Sequence, residues 1–182
     1  GIDCGNSCSK YFDSGTLVNL IASPDSGNRF VDWSNDCSGT DCTILMDADK
    51  NVLAKFNKVY LLNVIKVGSG QGVVTSVDSK INCGTDCIEV YDLDSTVTLT
   101  ATPSPGSRFV GWSGACSGTN LQCTFSVNSG KSVVAEFRKQ WTLTIIKSGT
   151  GQGTVASSPS GINCGATCSY VFDEGKSVSL TQ

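Results

Sequence analysis

The chain has 182 residues and a mass of 19.0 kDa, enough for one domain or two small ones with a buried core. It contains no histidine, which is the side chain that most often serves as a general base near neutral pH and as a metal ligand. Its 13 basic and 16 acidic residues give a net charge of -3, with no Lys/Arg run to neutralise a row of phosphates. Histidine-dependent hydrolases, most metalloenzymes and nucleic-acid-binding proteins are therefore disfavoured.

Cysteine content and hydropathy indicate where the protein works. Ten cysteines, an even number in a chain without histidine, favour disulfides and an oxidising compartment. No apolar run approaches the roughly 18 residues that span a bilayer, the charged and apolar regions of a signal peptide are missing, and the chain begins at Gly1 rather than at a methionine. We therefore expect a piece of a processed protein, located outside the cell or on its surface, with no membrane insertion in this segment.

The sequence repeats itself. One set of residues recurs after 79 positions: Cys4, Cys8, Val18, Pro24, Phe30, Trp33 and Cys37 return as Cys83, Cys87, Val97, Pro103, Phe109, Trp112 and Cys116. After a two-residue insertion, a second set recurs after 81 positions: Cys42, Phe56 and Gly70 return as Cys123, Phe137 and Gly151, and the copy continues through Cys164, Cys168 and Val178. This periodicity predicts tandem repeats of about 80 residues.

The spacing divides the chain into the back of a first repeat (residues 1–58), a complete repeat (residues 59–138) and the front of a third repeat (residues 139–182). An incomplete repeat leaves open sheet edges that other strands can fill. The expected partners are therefore neighbouring repeats of the same protein, or other copies of the chain. We also expect short linkers at Lys58 and Lys139.

The complete repeat has the period-two pattern of β-strands. Residues 96–102 alternate Val97, Leu99 and Ala101 with threonines, as a half-buried strand does. Strands are also predicted on both sides of the glycine turn at residues 68–71, over residues 60–67 and 72–77. Four further strands are predicted at residues 88–91, 108–112, 123–127 and 132–137. No long amphipathic helix is predicted. This pattern indicates an all-β fold of small, disulfide-stapled, β-sandwich-like modules.

The cysteines admit more than one arrangement, because four in a repeat allow three pairings. We favour local disulfides, since in the three pairs that are four residues apart the first cysteine is followed by a glycine (Gly5, Gly84 or Gly165), which permits a tight turn. The favoured pairs are Cys4–Cys8, Cys37–Cys42, Cys83–Cys87, Cys116–Cys123 and Cys164–Cys168. The alternative is a zinc site, although structural zinc sites more often place two residues between paired cysteines.

Two other motifs are weighed against simpler interpretations. The GSGQG and GTGQG runs lie between strand-patterned segments, so they indicate hairpin turns rather than phosphate-binding loops, which lead into a helix. Asp47, Asp49 and Asn51 alternate like calcium ligands but lack the distal glutamate, which favours a polar turn over a metal site. We expect no cofactor.

Aromatic residues supply the candidate core and the candidate binding surface. Trp33 and Trp112, with Phe30 and Phe109 before them, are expected to form core beside a disulfide, and sugar stacking is their alternative role. Trp141 takes the position that Tyr60 has one repeat earlier. We consider Trp141 and Tyr60 the candidate interface or binding residues.

The running pattern GSGQGVV…INCGTDC…VTLTATPSPGSRFVGWSGACSG…C…VVAEF resembles the divergent internalin-B-type B-repeat family of bacterial surface proteins, over essentially the whole chain. Its most specific part is FVGWSGACSG at residues 109–118, which recurs as FVDWSNDCSG with Asp32 and Asp36 in place of Gly111 and Ala115. The resemblance implies tandem β-rich modules of secreted or wall-associated proteins, with adhesive or spacer roles and no catalysis. It also raises a β-grasp-like module with a helix as the alternative fold.

These observations lead to one functional hypothesis and two alternatives. We expect a non-catalytic structural segment, a stalk, spacer or fibre of a secreted or cell-surface bacterial protein, because a repeated surface suits length better than a unique active site. The first alternative is an adhesin that binds a glycan or a surface protein through exposed aromatics. The second is a filament subunit that assembles by strand complementation between chains.

Overall fold

The computed structural model describes residues 1–182, and its regular structure consists of thirteen strands. The all-β prediction is confirmed. The helix that a β-grasp module requires is absent, and so the chain has no helix that could cross a membrane. The chain divides into two compact units, Gly1–Val59 and Tyr60–Gln182.

The first unit contains two small antiparallel ladders. Its strands are β1 (Leu17–Leu20), β2 (Asn28–Asn35), β3 (Cys42–Leu45) and the first half of β4 (Val52–Val67). β1 pairs with β3, and β2 pairs with residues 52–58 of β4. Trp33, Cys37, Cys42 and Ile44 form the buried core, against which Val18 and other apolar residues pack.

The second unit contains the complete repeat. Its strands are the second half of β4, β5 (Gly72–Ser76), β6 (Ile88–Asp92), β7 (Ser95–Pro103), β8 (Ser107–Gly114), β9 (Gln122–Val127) and β10 (Lys131–Thr144). One antiparallel sheet has the order β5-β7-β9. In the other sheet β4 pairs with β6 and, in parallel, with β10, while β8 pairs antiparallel with β10.

The two sheets of the complete repeat share one hydrophobic core. On β7, Val97, Leu99 and Ala101 are buried while the threonines between them face outward, which confirms the predicted alternation. From the opposite sheet Leu62, Val133 and Phe137 enter the same cluster. Burying a side chain of this size contributes about 1.5–3 kcal/mol to the free energy of folding. Face-to-face packing of the two sheets therefore holds the repeat together.

The third repeat starts inside β10. Residues 140–144 of this strand pair with β12 (Ser169–Asp173), and β11 (Ala156–Ser158) pairs with β13 (Ser179–Thr181). Ile162, Cys164 and Phe172 form its small core. The prediction of linkers at Lys58 and Lys139 is wrong, because Lys58 lies within β4 and Lys139 within β10. Each of these strands ends one repeat and begins the next.

The glycine turn of the complete repeat lies directly against β10. A Cβ atom at Gly70 would lie 2.6 Å from backbone atoms of Arg138, and one at Gly72 would lie 2.3 Å from the Phe137 ring. The corresponding glycines of the third repeat, Gly151 and Gly153, have no such neighbour within 4 Å. The glycines of the complete repeat are therefore needed for close approach to β10, beyond forming the hairpin turn.

Gly70→Val should destabilise the complete repeat by about 1–3 kcal/mol, because the added carbons have no space beside Arg138. Gly151→Val is the matched control, since it makes the same chemical change where nothing is in contact, and we expect it to leave stability nearly unchanged. Urea unfolding of both variants measures the difference. Equal free energies of unfolding for the two would contradict this account of the turn.

Candidate functional site

The ten cysteines form five local disulfides. The structure joins Cys4 to Cys8, Cys37 to Cys42, Cys83 to Cys87, Cys116 to Cys123 and Cys164 to Cys168. In the complete repeat the 83–87 turn is also closed by hydrogen bonds from the Gly84 and Asp86 amides to the Asn82 carbonyl, each 2.8 Å long. The third repeat forms the same turn on the Asn163 carbonyl. The bridges therefore fix short loops at the edge of each core.

The repeated tryptophans are core residues. Trp112 is only 6% exposed, its indole Nε1 donates to the Asn120 carbonyl at 2.8 Å, and its ring centroid lies 4.9 Å from that of Phe109. Trp33 is likewise buried, with Phe30 at 5.1 Å. Rings with so little exposed surface offer no face on which a sugar could stack.

The two candidate binding aromatics differ in their surroundings. Tyr60 packs against the core of the complete repeat, whereas Trp141 is 56% exposed. The Lys139 ammonium lies 4.2 Å from the Trp141 ring centroid, a cation–π contact that covers part of the indole. Tyr60 and Trp141 occupy equivalent positions in successive repeats. Trp141 lacks the packing that partly buries Tyr60.

Two residues of the acidic segment after β3, Asp47 and Asn51, contact other residues of the same chain. Asp47 forms an ion pair with Lys50 at 2.6 Å, which lowers the pKa of its carboxyl group. The backbone amide of Asn51 donates to the Asp36 carboxylate at 2.6 Å, and Asp49 is exposed. No group of three or more acidic or cysteine side chains is placed to hold a metal ion.

A polar cluster that sequence analysis missed lies at the edge of the core of the complete repeat. Buried Ser76 accepts from the Ile81 amide at 2.9 Å and donates to Asp78, which also accepts from the Tyr91 hydroxyl at 3.2 Å. Burial, together with the negative charge of Asp78, raises the pKa of Tyr91 to about 12. Partial burial opposes ionisation of Asp78, but hydrogen bonds from Ser76, Lys80 and Tyr91 hold its pKa below the ordinary value.

The third repeat shows which parts of this cluster belong together. Ser157 replaces Ser76 and still accepts from the Ile162 amide at 2.9 Å. At the positions of Asp78 and Tyr91 the third repeat has Pro159 and Phe172, so the hydroxyl and its acceptor are lost as a pair. Their joint replacement is a sequence signal that could have identified the contact.

Tyr91→Phe should lower the stability of the complete repeat by about 1 kcal/mol, because one partly buried hydrogen bond is lost while the ring is retained. Asp78→Ala removes the acceptor, and the double variant should cost less than the sum of the single variants because both changes delete the same contact. Thermal unfolding of the three proteins measures this coupling. Strict additivity would contradict it.

Side-chain and backbone hydrogen bonds link the complete repeat to the third repeat beside β10. The Arg108 guanidinium donates from Nε to Asp173 Oδ1 at 2.7 Å and from Nη2 to Oδ2, and Gln140 donates to Oδ1 at 3.1 Å. Two backbone bonds of 2.8 Å reinforce this contact, from Gln140 to the Gly106 carbonyl and from Glu174 to the Lys139 carbonyl. Arg108, Asp173 and Gln140 are called the junction cluster below.

The junction cluster borders an open groove of about 640 Å³. Arg138 and Lys176 contribute positive charge to its lining, and Glu174 contributes negative charge. Since the Arg108 and Asp173 side chains already satisfy each other, the chemistry of this site is to hold two repeats together.

Comparison with protein families gives the context of this junction. The model of the divergent InlB B-repeat domain matches residues 4–60 and 62–140. The chain belongs to this family. The first matched segment ends and the second begins within β4, and the second ends within β10, one residue after Lys139. B-repeats are repeat modules of bacterial surface proteins. A search of curated proteins and a search of solved structures each returned no match.

The ion pair at the B-repeat junction alters the ionisation of both partners. Hydrogen bonding from Arg108, aided by Gln140 and opposed by partial burial, lowers the pKa of Asp173 from 3.8 to about 2. The same contact raises the pKa of Arg108. Because the folded-state pKa of Asp173 is depressed, its contribution to stability is present above the unfolded pKa of 3.8 and is lost as the pH falls toward 2.

Arg108→Gln should therefore lower the free energy of unfolding at neutral pH by about 1 kcal/mol or less, since the arginine is partly exposed and solvent screens the pair. The deficit relative to the unchanged chain should shrink as the pH is lowered through about 4 to about 2. Urea unfolding across this range measures both proteins. A deficit that stays constant at all pH values would contradict a role for Asp173 ionisation.

Proposed function

We propose that this B-repeat segment is non-catalytic and structural, serving as a stalk, spacer or fibre segment of a secreted or cell-surface bacterial protein. The observation that carries the proposal is the junction at β10, where one continuous strand ends a repeat and begins the next. Chain continuity through a hydrogen-bonded strand leaves no flexible linker at this point. Such a junction suits a module that holds one repeat in a fixed position relative to the next.

The titratable groups of the segment support the absence of catalysis. Asp78 and Tyr91 are hydrogen-bonded to each other, Arg108 and Asp173 are paired, and the chain has no histidine to act as a general base. The cysteines are tied into bridges and are not nucleophiles. Disulfides persist in oxidising surroundings, which supports an extracellular or cell-surface location. The proposed partners are neighbouring repeats, without nucleic acid or cofactor.

The proposal is tested by the rigidity of the junction in solution. Residual dipolar couplings of backbone amides in residues 60–138 and 139–181 should fit a single alignment tensor, because β10 and the junction cluster fix the two repeats together. Insertion of Gly-Gly-Ser after Lys139 is the control, and it should give each repeat its own tensor. Two different tensors in the unmodified chain would overturn a spacer role that depends on rigid junctions.

A second candidate function is adhesion to a glycan or a surface protein through Trp141. Its exposure favours this role, since exposed aromatic rings are frequent binding anchors. Trp141→Ala should then abolish binding in a glycan or surface-protein array while leaving the melting temperature unchanged. A lowered melting temperature with unaltered binding would assign Trp141 to packing instead.

A further inference from the structure

The chain enters and leaves the complete repeat through two neighbouring strands. It enters near Tyr60 in β4 and passes through β10 into the third repeat. Residues 62–67 of β4 pair in parallel with residues 131–136 of β10, and these paired residues are called the parallel ladder below. Because the two strands run in the same direction, the chain enters at one end of the ladder and leaves at the other end.

This arrangement determines how a pulling force acts on the ladder. Tension on the chain draws β4 toward its amino end and β10 toward its carboxyl end, so the strands are pulled in opposite directions along one axis. The hydrogen bonds of a parallel pair are evenly spaced and lie across that axis. All of them therefore carry the load together. If the first and last strands were antiparallel, entry and exit would lie at the same end and the bonds would break one at a time.

Side-chain packing opposes sliding of the two strands. Val64 of β4 is paired with Val133 of β10, and the two valines are 2% and 0% exposed. Leu62 and Ala135 of the same ladder are also buried. Since side chains alternate between the two faces of a sheet, a slip of one residue would turn the buried side chains of one strand toward solvent. The ladder therefore cannot move into a neighbouring register without losing core packing.

Both strands of the ladder are also held on their other sides. β6 flanks β4, and β8 flanks β10. The Val64 amide donates to the Cys87 carbonyl at 2.8 Å, and Cys87 belongs to the loop that the Cys83–Cys87 disulfide closes. Neither strand is an edge strand in this sheet, so a pulling force cannot peel it away from an open side.

The glycine turn after β4 adds contacts at the exit end of the ladder. The Gly70 amide donates to the Phe137 carbonyl at 3.0 Å, and the Lys139 amide donates to the Ser69 hydroxyl at 3.3 Å. Sliding of β4 toward its amino end would draw the turn away from β10. These two bonds therefore resist the same movement as the ladder.

We propose that the complete repeat is a load-bearing module, in which the parallel ladder of β4 and β10 resists tension applied along the chain. This role rests on the proposed function, since a stalk or fibre segment is pulled through its own chain. It goes beyond that function, because a spacer needs only fixed distances, whereas this ladder is oriented to withstand force. The resistance lies within residues 60–139 and does not require a rigid junction to the third repeat.

Single-molecule pulling of the 182-residue chain tests the proposal. Handles on Gly1 and Gln182 load the ladder in shear. Unfolding of the complete repeat is identified by its length, since releasing about 70 residues at about 3.5 Å each lengthens the chain by about 240 Å. In the control the second handle is moved to Ser129, an exposed residue just before β10. Both handles then pull at the amino ends of the two strands and open the ladder one bond at a time.

We expect the complete repeat to unfold in the control at no more than about half the force that it withstands between the terminal handles, because forced unfolding is governed by the unfolding rate in the pulled direction. Equal forces in the two geometries would overturn the load-bearing role. Equal forces would still be compatible with a rigid spacer, and two alignment tensors would still be compatible with a load-bearing repeat. The two proposals therefore fail separately.

Two valine variants locate the resistance within the repeat. Val64→Ala lies in the ladder, and Val97→Ala lies in the opposite sheet, where the valine is also 2% exposed. Each change removes the same carbons from a buried site, so urea unfolding should show similar losses of stability. Under constant force Val64→Ala should unfold about tenfold faster than the unchanged chain, and Val97→Ala should stay within about threefold of it.

Equal acceleration by the two valine variants would place the resistance in the core as a whole and would refute the role of the ladder. The comparison of pulling directions needs neither variant, so it decides the question if one of them fails to fold.

Discussion

Strand β10 is the constraint on which the rest of the second unit depends, because its backbone pairs with three neighbouring strands. Its first half lies between β8 and the parallel β4, and its second half pairs with β12 of the following repeat. Phe137 on this strand fills the core of the complete repeat and sets the distance to the glycine turn. Moving β10 would therefore open the core, the turn and the junction together.

The sandwich built on β10 is small, and its stability is shared between packing and crosslinks. Short strands bury one face each, so the apolar gain per repeat is limited, and local disulfides restrict the unfolded chain where loops enter the core. Polar contacts such as Ser76–Asp78–Tyr91 close the edges of the core without leaving a buried side-chain atom unsatisfied. A repeat of this kind gains from neighbours that cover its remaining edges, and the junction cluster supplies such cover.

Comparison of the three repeats separates residues that maintain the fold from residues that fill a local role. Gly111 of the FVGWSGACSG motif is replaced by Asp32 in the first repeat, and the Trp33 backbone still donates to the Gly39 carbonyl as Trp112 does to Gly118. Gly114 has a positive φ of 88°, and Asn35 takes the same left-handed conformation at 71°. Hydrogen-bond geometry and backbone conformation are retained where side chains change.

Sequence by itself determined the all-β class, the repeat period and the strand predicted at residues 96–102, because alternation and repetition are local properties of the chain. The buried roles of Trp33 and Trp112 also followed from their position beside cysteines. Only the tertiary structure decided the parallel pairing of β4 with β10, the continuity of strands through Lys58 and Lys139, and the Arg108–Asp173 contact. These features join residues far apart in sequence, and no local pattern specifies which distant edge a strand will meet.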